Sequence, residues 1–138
     1  MNLKLAIVFV WTTSAALVVK LLTAWDQLPA RVAVHFGTDM RPNGWSSKNT
    51  LVAIVLAVVL GQATLTTLLL PQAAGGSAWI ALVLVMANIA VVSTFWQVIR
   101  YNAEGVPFQP LWMFLSLTAV FGLATVLMGK LMLDYYRR

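Results

Sequence analysis

The sequence predicts an all-α integral membrane protein: four transmembrane helices, with a structured extracytoplasmic loop between the first and second. Three observations predict it. The 138 residues are 61% hydrophobic and only 9% charged, against about 45–50% apolar and about 25% charged in soluble globular domains. That is too few charges to cover a water-facing surface. The apolar residues fall into four blocks of roughly 20 or more, and at about 1.5 Å per residue each spans a hydrocarbon core of about 30 Å. Aromatic residues gather near the block ends (Trp25, Trp79, Trp96, Trp112, Tyr101, Tyr135 and Tyr136), at the headgroup level that amphipathic rings prefer.

In chain order, the first helix is expected over about 3–25, with Lys20 as its one internal charge. Its apolar run exceeds the ~7–15 residues of a signal-peptide core and no Ala-x-Ala site closes it, so it reads as a retained helix. The second helix is expected over about 48–70, ending at Pro71. A turn at Pro71–Ser77 leads to a third helix over about 78–99. Arg100–Pro110 connects this to a fourth over about 111–133. In lipid every backbone polar group must be satisfied within its own segment, which makes each block a helix. The whole chain, 1–138, reads as one domain.

Composition also removes function classes. Cysteine is absent and there is one histidine, so disulfides, Cys-ligated zinc, iron–sulfur clusters and paired-His metal sites are excluded, and no cofactor is expected. The net charge of +5 suggests no nucleic acid, because the nine basic residues are scattered singly at block edges without interleaved aromatics. Such bases anchor a protein in lipid headgroups. The bilayer is therefore the first partner, with a membrane-protein partner or a second copy of the chain beside it.

Helices in lipid associate through small residues and interhelical hydrogen bonds. Ala53, Ala57 and Gly61 share one helical face, as do Thr118, Gly122, Thr125 and Gly129, and both faces are expected to point inward. Gln62 and Asn88 lie near mid-membrane and are expected to bond between helices, to each other in the simplest case. The alternative, a small transporter or channel, would use them as a polar path. With no Asp or Glu inside any expected span, a proton-coupled carrier lacks its usual carboxylate. Lys20 and Lys130 are expected to snorkel to the interface, the other choice for Lys20 being a pair with Glu104. Counting bases does not fix the orientation. The dense C-terminal cluster of Lys130, Arg137 and Arg138 favours cytoplasmic termini.

The loop 26–47 is too long to be mere connection. Pro29 favours an extended Leu28. Val32, Val34 and Phe36 alternate with Ala33 and His35, as a short strand does. Pro42-Asn43-Gly44 reads as a β-turn, and Ser46 or Ser47 can cap the second helix. Phe36 and Trp45 are expected to turn toward lipid or the helix ends.

The spacing of Leu28-Pro29, His35-Phe36, Pro42, Gly44-Trp45 and Lys48 resembles the bacterial membrane-protein family known as domain of unknown function 1648, which also occurs in relatives of the sporulation-delaying-toxin immunity protein. Asn43 stands where that family often has Asp, and Gly37 where it often has Asn. The resemblance implies an integral protein of the bacterial inner membrane with this loop outside, and no reaction. A toxin-immunity-like role comes from the resemblance alone.

His35 with Asp26, Asp39 or Glu104 matches no metal-ligand spacing, and neither Ser46 nor Ser47 sits in a nucleophile elbow. Neither an enzyme nor a metal site is expected. The loop reads as a binding element for a partner, peptide or lipid, with His35, Phe36, Asp39, Asn43, Gly44, Trp45, Lys48 and Glu104 as its candidates. His35 is expected to tie the turn to the strand by bonding a backbone carbonyl or Asp39.

Overall fold

The structure is a computed structural model that describes residues 3–69 and 77–109, with Leu115, Thr118 and Gly122 beyond them. It is mostly helical: α1 (Leu3–Thr23), a 3-10 turn (Trp25–Gln27), β1 (Arg31–Phe36), β2 (Pro42–Ser47), α2 (Lys48–Leu69) and α3 (Ser77–Glu104). All three helices are long and apolar enough to cross a membrane. Residues 71–76 of the expected turn, Gly129 and most of the expected fourth helix lie outside the described residues, and Ser77 belongs to α3 rather than to the turn. Leu115, Thr118 and Gly122 have helical backbone and are exposed.

α1 and α2 run antiparallel and α3 returns beside α1. α1 buries Ala6, Val10, Ser14, Leu17 and Leu21, one stripe at helical spacing. α2 buries Leu51, Val55, Val59, Ala63 and Thr66. Above them Val32, Val98, Ile99 and Phe108 close the core at the end where the two strands sit. The stiff, branched valines of α2 lose little rotamer freedom on packing, and with the small residues Ala6, Ser14, Ala63 and Thr66 in the same stripes close van der Waals contact stabilises this seam.

This corrects the expectation for Ala53, Ala57 and Gly61, which lie on the exposed side of α2. A Cβ on Gly61 or on Gly122 would meet nothing within 4 Å. The two stripes of α2 have the same period, so spacing alone does not choose between them. Gly61→Leu is accordingly expected to change thermal stability in detergent by no more than about 0.5 kcal/mol, as for an open surface position. A larger drop would mean that the face is covered.

Polar side chains join the helices at depth, though in other pairs than expected. Asn88 is fully buried. Its Oδ1 accepts from the Thr13 hydroxyl at 2.6 Å and its Nδ2 donates to the Ser14 hydroxyl at 3.4 Å. Both partners lie on α1, so Asn88 does not pair with Gln62, whose Oε1 is buried with no partner among the described residues. On the other side of α1 the Trp11 indole N–H donates to Thr67 of α2 at 2.9 Å.

α3 runs five residues beyond the expected end at Ile99. Arg100 ends the apolar run but not the helix, because the next turn has partners. Gly105 stops it, with φ +68 and its N–H on the Tyr101 carbonyl at 3.2 Å. This is the left-handed C-terminal stop for which glycine has no steric cost.

Candidate functional site

The loop between α1 and α2 is a β-hairpin, which adds a small sheet to the expected all-helical architecture. β1 and β2 pair antiparallel, with Arg31 opposite Ser47, Ala33 opposite Trp45, His35 opposite Gly44 and Phe36 opposite Pro42. Pro42-Asn43-Gly44 is therefore strand, and the expected turn there is corrected. The chain reverses at residues 37–41, where the Gly37 N–H donates to the Arg41 carbonyl at 2.9 Å and the Met40 N–H to the Gly37 carbonyl at 2.9 Å. Met40 has φ 60, and Asp39 Oδ1 accepts from the Arg41 N–H at 3.1 Å. Asp39 thus shapes the turn rather than meeting His35.

The entry and exit of the hairpin follow from local chemistry. Leu28 is extended before Pro29, with ψ 130, and is buried in the core. Ser47 caps α2, its hydroxyl oxygen accepting the Thr50 N–H at 3.1 Å, and Lys48 places its ammonium 4.3 Å from the Trp25 ring centre. Such a cation–π contact is worth about 0.5–1 kcal/mol at an exposed site.

His35 bonds through Nδ1 to the Asn43 side-chain oxygen. The partner differs from the expected carbonyl or Asp39, and the bond does tie β2 to β1. Gly44 lies directly beneath: a Cβ there would sit 2.7 Å from His35 Cβ. Register irregularities fall on both sides of the His35–Gly44 pair, as β-bulges do where a side chain is re-aimed.

Phe36 turns inward as expected. Its ring stacks on Phe108 at 4.5 Å between centroids and meets Tyr101 edge-on at 5.0 Å. Trp45 leaves half of its surface open. Arg31, His35, Asn43 and Ser47 are exposed with it.

Asn102, which no motif or spacing singles out, locks the hairpin to α3. Its Oδ1 accepts from the Ala33 N–H at 2.7 Å, and its Nδ2 donates to the Ala33 carbonyl at 2.9 Å. One amide thus plays the part of a neighbouring strand at Ala33, a buried residue on the outer edge of β1 whose backbone groups would otherwise be costly to bury. A polar residue one turn past an apolar run was the only available signal.

Glu104 sits at the same end. One carboxylate oxygen accepts from Lys20 Nζ at 2.5 Å and the other from Arg100 Nε at 3.0 Å. Lys20 pairs rather than snorkels alone, with its ammonium 5.7 Å from the Trp96 ring centre. Two cations on one carboxylate leave this cluster net positive.

Beside it, between α3 and the segment that follows, lies a cavity of about 390 Å³ walled by Val92, Trp96, Gln97, Arg100, Val106 and Pro107, among others. Gln97 Oε1 accepts from the Gln109 N–H at 2.7 Å. Its Nε2 is buried with no partner among the described residues, and an unmet buried donor ordinarily costs about 1–3 kcal/mol. Among the described residues no three His, Asp or Glu side chains come together.

Residues 12–61 match the family described as Domain of unknown function (DUF1648), the family that the loop resembles. No curated protein and no solved structure matches the chain. The matched segment runs from α1 through the hairpin into α2 and stops short of α3, which supplies Asn102 and Glu104.

Proposed function

We propose that the chain is a binding or accessory module of the bacterial cytoplasmic membrane, with both termini in the cytoplasm and the hairpin outside. There it recognises a peptide or a partner protein and carries out no chemical step. The observation that carries this reading is the open Trp45 on a braced frame. Four other side chains of the motif are engaged within the chain: Leu28 in the core, His35 on Asn43, Phe36 on Phe108 and Lys48 on Trp25. Trp45 remains half exposed, and rigid aromatic side chains are favoured anchors at interfaces.

The hairpin also has one open edge. Asn102 occupies the β1 edge at Ala33, while β2 has no second strand beside it among the described residues. An extended peptide could add there through backbone bonds and lay a side chain against Trp45. The toxin-immunity-like role implied by the family resemblance would be one instance of this mode.

The test is co-purification in mild detergent of the native chain and Trp45→Ala. The variant should keep the native helix content and lose a component that the native chain retains. Identical complements from both would sink the reading. Topology is checked separately in this cysteine-free chain. Asp39→Cys should react with a membrane-impermeant thiol reagent in intact cells, and labelling only after lysis would invert the orientation.

A further inference from the structure

We propose that the cavity beside the Lys20–Glu104–Arg100 cluster holds an acyl chain of a membrane phospholipid with an anionic headgroup. The phosphate would lie at Arg100, and an ester or headgroup oxygen would accept from Gln97 Nε2. This site is separate from the hairpin face and does not depend on its role.

The cavity has the size of a small-ligand site, for which about 300–1,000 Å³ is usual. Its walls are mostly apolar: Ile89, Val92, Trp96, Val106 and Pro107. What polarity it offers is one-sided. The Gln97 oxygen is taken by Gln109, while its nitrogen is a buried donor without an acceptor among the described residues. The Ser93 hydroxyl donates to the Ala90 carbonyl and the Thr13 hydroxyl to Asn88. Arg100 shares its carboxylate with Lys20, so positive charge remains in the cluster.

A ligand that fits must therefore bring acceptors and negative charge at one end and hydrocarbon at the other. A peptide would bring N–H donors as well, and the Gln97 oxygen is already engaged. A free phosphate would leave the apolar walls unused. The site lies toward the C-terminal end of a membrane-crossing helix, beside a Trp of the kind that marks the headgroup level, where phospholipids present their phosphates.

The full chain, purified in mild detergent, is examined by native mass spectrometry and thermal unfolding. Phosphatidylglycerol, phosphatidylcholine or inorganic phosphate is added in turn. Phosphatidylglycerol should remain bound at one per chain and raise Tm, phosphatidylcholine should do so less, and inorganic phosphate should do neither. Arg100→Gln should weaken phosphatidylglycerol about tenfold, the scale of one lost charge-assisted contact. Val92→Trp, which fills the cavity, should abolish retention with helix content unchanged. Val106→Trp, outside the helix, supplies the same block should Val92→Trp fail to fold.

Equal retention by the native chain and the blocked variants would place lipid elsewhere and overturn the proposal. A response to inorganic phosphate alone would make this a free-anion site. Destabilisation by both Trp variants with no lipid retained by the native chain would assign the cavity to the protein's own residues. Either result also overturns the proposal.

Discussion

Asn102→Leu should release the hairpin from α3 while the three helices remain formed. Leucine is close to asparagine in size and leaves the N–H and C=O of Ala33 without their partners. Each buried backbone group left unsatisfied costs about 1–3 kcal/mol, so a loss of about 3 kcal/mol is expected in thermal unfolding. The Ala33 amide should exchange with solvent far faster than in the native chain, and amides of α1 near Val10 should not change. Unaltered protection at Ala33 would show that the Asn102 amide does not hold the hairpin.

Gly44→Ala is the second large effect. The added methyl would lie 2.7 Å from His35 Cβ, on a paired strand that cannot retreat without breaking its ladder. Overpacking of this kind costs about 1–3 kcal/mol. Because the clash is with the His35 side chain itself, His35→Gly in the same chain should recover most of the loss beyond its own cost. The two changes should therefore couple by about 1 kcal/mol or more, as contacting residues do. Simple additivity would show that the strands are not spaced as described. His35→Ala alone keeps the obstructing Cβ and should not relieve Gly44→Ala.

The three described spans were legible because lipid permits a long apolar segment few conformations. Their ends were less so: α3 continues past Arg100 because Tyr101, Asn102 and Glu104 find partners that hydropathy does not register. β1 was legible from the alternation of Val32, Val34 and Phe36. β2 was not, since Pro42-Asn43-Gly44 has turn composition, and the real turn uses Met40 at positive φ, a residue that signals no turn. The inner role of Phe36 and the capping by Ser47 could be read locally. Asn102 on Ala33 could not, because the two lie 69 positions apart; Lys20 on Glu104, 84 positions apart, could be named only as one of two choices, since pattern does not decide which distant groups meet.

The Ala33–Asn102 pairing also orders events in time. α1, the hairpin and α2 leave the ribosome as one unit, yet the amide that occupies the β1 edge is synthesised 69 residues after Ala33. At about 5–20 residues per second that delay is roughly 3–14 s, long compared with the ~1–10 μs in which a hairpin forms. During this interval the strand pair can exist but has nothing to seat on, with one edge unsealed and Phe36 lacking both ring neighbours. Seating must wait for the far end of α3 to be delivered to the same side of the bilayer. Correct insertion of the third helix is thus a precondition for finishing a structure encoded between the first two, and a chain arrested before Asn102 would expose an unfinished hairpin to proteolysis.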